Sequence, residues 1–563
     1  MSGEALPASG GRVDANLSIA HGPVDVPLLE ITIGQALRNA GRTWGGDLAL
    51  VSRHQAIRWT WTELDTEVDR VATGLLRHGV AKGDRVGIWA PNCAEWAVIQ
   101  YATARIGAIL VNINPAYRVT EAEYALNKVG CSVLVTATAF KSSDYLAMLR
   151  EFWPAQMPHL RLVVTLGEDS HDGCLHWAEL RDPVDKAALA GAAAALSCHD
   201  PINIQFTSGT TGFPKGAALT HRNILNNGYF SGKGIGLAVH DRIAVPVPLY
   251  HCFGMVLANL AALTSGAAVV YPGEAFDPGA VLAAVAAERC TALYGVPTMF
   301  IAALNHSDLA DYDLSSLRTG IMSGAPCPLA TMREVIDRLH IPEITIGYGM
   351  TETSPLTTLT ARDDPIADRV GSVGRPQPHA EAKIIGEDGE PVPHGVAGEY
   401  CSRGYSVMLG YWNEQQKTAE AIDRNGWMHS GDVATMDERG YVRITGRIKD
   451  MIIRGGENIY PREIEEYLLS HAHVADAQVF GVPDAKFGEE VCAWVIPKPG
   501  MTLTEEAVIA HCKGRIAHYK VPRYVRVVEV FAMTVTGKAQ KLEMRRMMEQ
   551  ELAKPEVQPL YPE

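Results

Sequence analysis

The sequence lacks three things that would narrow its class at once. It has no paired cysteines: the ten are scattered, with no C-x-x-C and no Cys/His set at zinc-ligand spacing. That excludes a disulfide-stapled scaffold and a zinc-ribbon module, and predicts reduced, mostly core thiols in a cytoplasmic protein. It has no uninterrupted apolar run long enough to span a bilayer. The most apolar stretch, 254–270, is broken by Asn259, Thr264, Ser265 and Gly266 and reads as a buried helix followed by a strand. It also lacks a surplus of basic charge, with 50 Lys+Arg against 64 Asp+Glu, a net of −14. A nucleic-acid partner wants the opposite balance. Residues 1–26 are rich in Gly, Ala, Ser and Pro without the apolar centre of a signal peptide.

What remains is a globular chain of 563 residues, 47% hydrophobic and 20% charged. At roughly 150 residues per domain, two to four units have room for real cores. Apolar helical patterns at 62–78 and 94–106 alternate with β-branched runs at 85–89 and 109–113. This rhythm predicts crossover units on a parallel sheet, continuing through 267–271, 292–294, 319–323 and 343–347. From about residue 380, short strands are split by Asp388-Gly389 and His394-Gly395, which predicts antiparallel hairpins in a small barrel or distorted sheet. After Gly446, helices at 461–470 and 504–516 alternate with strands at 474–480, 491–496 and 524–528, an α+β pattern. Within that part, residues 513–546 carry nine Lys and Arg against two Glu. Such a stretch is either a solvated face or a cover for a polyanion.

The most informative segment is 202–216, INIQFTSGTTGFPKG. Ile202, Ile204 and Phe206 alternate with polar residues, so it opens as a strand and then becomes a run of hydroxyls and glycines closed by Lys215. Small residues let backbone N–H groups approach phosphate oxygens, and the lysine supplies charge. It is not a Walker A loop, because Lys215 follows Pro214 and precedes Gly216.

TSGTTGFPKG resembles the phosphate loop of the adenylate-forming superfamily, which includes acyl-CoA synthetases, peptide-synthetase adenylation domains and firefly-type luciferases. Further segments follow in the order expected of that family: PLYHCFGM (248–255), SGAP (323–326), GYGMTETSP (347–355), YCSRGYSVMLGYW (400–412), WMHSGD (427–432), GRIKDMIIRGGENIYP (446–461) and TVTGKAQK (534–541). The resemblance covers about residues 30–545. It implies a large N-terminal domain of parallel-sheet α/β layers with a small antiparallel barrel-like subdomain, then a small mobile α+β C-terminal domain. The implied division is a flexible segment 1–28, an AMP-binding domain 29–448, a hinge at Lys449 and a lid 450–563.

The resemblance also implies roles. Thr207, Ser208, Gly209, Thr210, Thr211, Gly212 and Lys215 would hold the β- and γ-phosphates of ATP. Glu352 with Thr207 would hold Mg²⁺, a hard cation suited to oxygen ligands, and Thr351 would contact the α-phosphate. Gly347, Tyr348 and Gly349 would stack on adenine, with Gly324, Ala325 and Pro326 along the base edge. Asp432 would accept from the ribose hydroxyls, with Arg447 beside it. Lys538 would bridge carboxylate and α-phosphate during activation. Gly455, Gly456 and Glu457 would border a pantetheine tunnel for coenzyme A, and His251 would gate the acyl and thiol paths. Ile453 stands where luciferases carry a lysine, which argues against that branch. No aspartate sits beside His251, where an amino-acid-activating pocket would hold an ammonium group.

The activity this implies is an ATP-dependent acid–CoA ligase, with a medium-chain aliphatic acid as expected substrate. An aryl or polycyclic acid, or delivery to a carrier protein, is the alternative. Expected partners are the carboxylic acid and coenzyme A, with homodimerisation left open, no nucleic acid and no membrane segment.

Overall fold

The computed structural model describes residues 11–207, 214–325, 327–455, 457–484, 486–533 and 539–552. The chain divides into two compact units. One takes the residues up to Asp14, Ile19–Ala382 and Cys401–His429; the other takes Ala15–Ser18, Lys383–Tyr400 and Ser430 onward.

The first unit holds two large sheets. In one, eight strands run in the order Leu175–His176, Leu162–Thr165, Val133–Thr136, Arg85–Trp89, Ile109–Asn112, Pro201–Thr207, Lys215–Thr220 and Gly410–Tyr411. The first six are parallel and the last two antiparallel. A nine-stranded sheet includes the parallel run Leu48–Ser52, Ala268–Tyr271, Arg242–Ala244, Ala292–Gly295, Thr319–Ser323 and Glu343–Gly349. The alternation in the sequence produces both, because each crossover helix buries an apolar face on a sheet. Trp61–Arg77 starts on a capping box, in which Glu63 N–H donates to Thr60 Oγ1 and Thr60 N–H donates to Glu63 Oε2. Ala94–Ile106 is buried all round, as befits a helix with neighbours on every side.

The expected antiparallel part is a six-stranded sheet that contains the hairpin Met428–Met436 with Val442–Arg447. Order begins before residue 28, since Arg12–Val13 pairs with Ile19–His21. In the second unit, a five-stranded sheet of Ile452–Arg454, Glu457–Ile459, Val474–Asp484, Gly488–Pro497 and Tyr524–Val527 packs on helices Pro461–Leu468 and Glu505–Cys512. Ile464, Leu468, Val479, Val495, Val508 and Val525 form part of its core.

One element departs from the sequence reading. The apolar stretch after His251 begins as a π-helix, Phe253–Leu260, and becomes α-helical only at Ala261–Ser265. Wide turns leave carbonyls short of their usual partners, and here side chains from Ala94–Ile106 supply them. Gln100 Nε2 donates to Met255 O at 2.9 Å, and the Tyr101 hydroxyl donates to Asn259 O at 3.0 Å. No helix among the described residues is long and apolar enough to cross a membrane.

Candidate active site

The hairpin Pro201–Thr207 and Lys215–Thr220 places Thr207 opposite Lys215 at its open end. Thr207 Oγ1 donates to the Lys215 carbonyl at 3.4 Å. The loop residues between them, Ser208, Gly209, Thr210, Thr211 and Gly212, lie outside the described residues. A short strand, Gly410–Tyr411, pairs on the outer side of this hairpin, with Tyr411 opposite Ala217. Lys215 Nζ therefore stands 4.1 Å above the Tyr411 ring, within range of a cation–π attraction.

The Tyr411 hydroxyl donates to Glu352 Oε1 at 2.8 Å. Both residues are 6% exposed. Burial, and then the Glu352 charge, push the Tyr411 phenol well above its ordinary range, so it stays a donor. Glu352 sits in a single 3₁₀ turn, Thr351–Thr353, which segment 405–408 braces. Met408 N–H donates to Glu352 O at 2.9 Å, and Ser354 Oγ donates to Ser406 O at 2.6 Å. Thr351, half-buried, precedes Glu352 in the same turn. The donor set of buried carboxylate and hydroxyl is hard oxygen, which fits Mg²⁺ beside a phosphate chain.

The base-edge and stacking candidates come from neighbouring strands. Ser323 pairs with Gly347, and Ser323 Oγ donates to Gly347 O at 2.7 Å. Gly324 and Ala325 leave the sheet exposed beside it, while Pro326 lies outside the described residues. Tyr348 is half-buried between Gly347 and Gly349. Gly349 has no room for a side chain, because a Cβ there would lie 1.8 Å from Pro355 O.

His251 is half-buried, its ring 4.2 Å from that of Tyr250, immediately before the π-helix. The next residue ties this turn to strand Pro201–Thr207, since the Cys252 thiol donates to Gln205 Oε1 at 3.1 Å. Burial raises the Cys252 thiol well above its usual range, and the Glu352 charge adds to this. Phe230 is fully enclosed, with the rings of His379 and Tyr405 each 5.8 Å away. A cleft of about 400 Å³ lined by Arg38, Asp69, Arg105 and Lys186 shares no residue with this set.

The second unit carries the rest. Asp432, 6% exposed, faces Arg447 across its hairpin, with Arg447 Nε 2.9 Å from Asp432 Oδ1. Lys449 is exposed in the 3₁₀ turn Ile448–Asp450. Gly455 and Glu457 are exposed at the turn of a hairpin, where Gly455 N–H donates to Phe487 O at 2.8 Å. The strand entering that turn is anchored from beneath. Glu490, 1% exposed, takes Arg454 Nε at 2.7 Å and Arg523 Nη1 at 3.2 Å. Gly456 and Lys538 lie outside the described residues.

Within the first unit, then, Lys215 and Glu352 meet at Tyr411, with Thr207 and Thr351 beside them, and Cys252, next to His251, is bonded to the strand that ends in Thr207. The residue that joins Lys215 and Glu352, Tyr411, was given no role from sequence. Its only sequence signal was membership of the segment YCSRGYSVMLGYW. Glu490 gave no signal at all, being one acidic residue in a strand.

The chain matches the sequence model of the AMP-binding enzyme family over residues 37–412, and that of the AMP-binding enzyme C-terminal domain over 463–538. It is 44% identical to the medium-chain acyl-CoA ligase ACSF2, mitochondrial, of Danio rerio, over 95% of this chain and 91% of that protein. Among solved structures it resembles the anthranilate CoA ligase AuaEII in complex with anthranoyl-AMP, with a TM-score of 0.82 and 27% identity, over 94% of this chain and 99% of that one. ATP-bound MatB from Rhodopseudomonas palustris matches with a TM-score of 0.79 and 29% identity, over 93% and 100%.

Proposed function

The chain belongs to the AMP-binding enzyme family and is an AMP-forming acid–CoA ligase, and on that premise we propose that it activates a medium-chain aliphatic carboxylic acid. The carboxylate attacks the α-phosphorus of ATP, giving an acyl-adenylate and pyrophosphate. The thiol of coenzyme A then takes the acyl group and releases AMP. The observation that carries the site assignment is the line from half-buried Lys215 through buried Tyr411 to buried Glu352, one cation and one carboxylate at the mouth of the Thr207/Lys215 hairpin.

In this reading Lys215 and the adjoining loop bind the β- and γ-phosphates, and Thr351 approaches the α-phosphate. Tyr348 takes the adenine face and Asp432 the ribose. Glu352 and Thr207 would hold Mg²⁺, which neutralises charge on the phosphate chain when bound. Lys538 supplies a mobile positive charge to the reacting carboxylate and α-phosphate, then leaves with its domain as the chain turns about Lys449. Gly455, Gly456 and Glu457 border the path of the pantetheine arm, and His251 gates it. All ten cysteines are unpaired, which supports a reducing compartment such as the cytoplasm.

Pyrophosphate release across a panel of acids, with and without coenzyme A, tests the assignment. For an aliphatic substrate each buried methylene adds about 0.8 kcal/mol, roughly fourfold in kcat/KM, until the pocket ends. A flat response along straight-chain acids with aryl or polycyclic acids preferred would replace the medium-chain assignment. Turnover only with a carrier protein would replace coenzyme A as acceptor.

A further inference from the structure

Tyr411 is held in place by its backbone. Leu409 N–H donates to Ala218 O at 2.9 Å, Trp412 N–H donates to Gly216 O at 2.7 Å, and Tyr411 N–H donates to Thr418 Oγ1 at 2.9 Å. Gly410 adopts φ +144°, and a Cβ there would lie 2.7 Å from Thr418 Cγ2, so only glycine permits this approach. The ring thus emerges at a fixed angle between two charged groups that sequence alone leaves 137 positions apart. Its hydroxyl is bonded to Glu352 and its face lies under Lys215.

A buried glutamate has a broad terminal torsion and could turn either oxygen toward a ligand. One hydrogen bond at 2.8 Å to Oε1 restricts that freedom and leaves Oε2 as the oxygen a metal ion would take. Carboxylates that bind metals are oriented in this way by groups behind them. A lysine stem likewise loses part of its rotamer freedom against an aromatic face before any phosphate arrives.

We propose that Tyr411 is a positioning residue for the activation step, fixing Glu352 for Mg²⁺ with its hydroxyl and Lys215 for the triphosphate with its ring. The inference rests on the reading of Glu352 as the magnesium carboxylate. A buried tyrosine that had merely found a partner for its hydroxyl would affect stability and nothing else.

The test is calorimetric binding of ATP to the full chain, without Mg²⁺ and at saturating Mg²⁺; the ratio of the two affinities measures how well the metal is received. Tyr411→Phe should leave binding of ATP alone unchanged and lower the ratio about tenfold, as expected for one lost hydrogen bond to a charged group. Glu352→Gln should abolish most of the ratio, and Tyr411→Phe should subtract nothing further in that background. Tyr411→Leu, which also removes the ring, should lose the magnesium advantage and weaken binding of ATP alone. It is read on its own terms if Tyr411→Phe fails to fold. A normal ratio in Glu352→Gln overturns the reading of Glu352. A lost ratio there with a normal ratio in Tyr411→Phe overturns the role of Tyr411 alone. Equal losses from Tyr411→Phe in both backgrounds would mean that the tyrosine acts elsewhere.

Discussion

Asp432 and Arg447 stand directly opposite one another in the hairpin register, joined by a 2.9 Å ion pair from Arg447 Nε to Asp432 Oδ1. Asp432 N–H also donates to Ser430 Oγ at 3.0 Å, so the backbone behind the carboxylate is fixed. In the proposed site, a ribose would meet a carboxylate whose place is already set by the protein.

Replacing Asp432 by Asn keeps the shape and removes the charge. The expected outcome is a rise in the KM for ATP on the order of tenfold, from weakened charge-assisted hydrogen bonds, with the KM for the acid unchanged. An unaltered KM for ATP would remove Asp432 from the nucleotide site.

Lys538→Ala separates the two half-reactions. Acid-dependent pyrophosphate release should fall by at least two orders of magnitude, the scale of one lost electrostatic contact to a transition state. Conversion of a supplied acyl-adenylate to thioester should persist. Equal loss of both halves, followed by quenched-flow assay, would contradict the role given to Lys538.

Glu490 makes the complementary prediction. Glu490→Gln removes the buried carboxylate that Arg454 and Arg523 share, which should cost the second unit about 3 kcal/mol. Because Arg454 leads into the Gly455 turn, thioester formation should slow more than pyrophosphate release. Denaturant unfolding and the two half-reaction assays read the two effects separately.

Acid should destabilise the first unit through His221. This residue is fully enclosed at the start of helix His221–Gly234, and its Nδ1 accepts the Ile33 N–H at 3.2 Å. Burial lowers its pKa to about 3. The unfolded chain takes up the proton near pH 6.5 and the native chain does not, so stability falls with decreasing pH across that window. The slope is about 1.4 kcal/mol per pH unit for the one proton. His221→Gln should flatten that slope in pH-dependent thermal unfolding, and an unchanged slope would assign it to other groups.

Sequence patterns revealed the parallel strands, though not their division into two sheets, because period and alternation are local properties, and the strand Pro201–Thr207 because its alternation runs straight into the hydroxyls. The line from Lys215 through Tyr411 to Glu352 was not legible, since it depends on three segments meeting edge to edge. Periodicity carries no record of such meetings. The π-helix was equally hidden: 253–260 reads as an ordinary apolar helix, and the Gln100 and Tyr101 side chains that reach its carbonyls come from a distant segment.

That borrowed geometry bears on any attempt to retool the enzyme. Segment 253–260 follows His251 directly, so it is an inviting cassette to exchange between relatives with different acid preferences. Yet two of its carbonyls are held by side chains about 150 positions upstream. A graft that omits Gln100 and Tyr101 would transplant the letters and leave those two anchors behind.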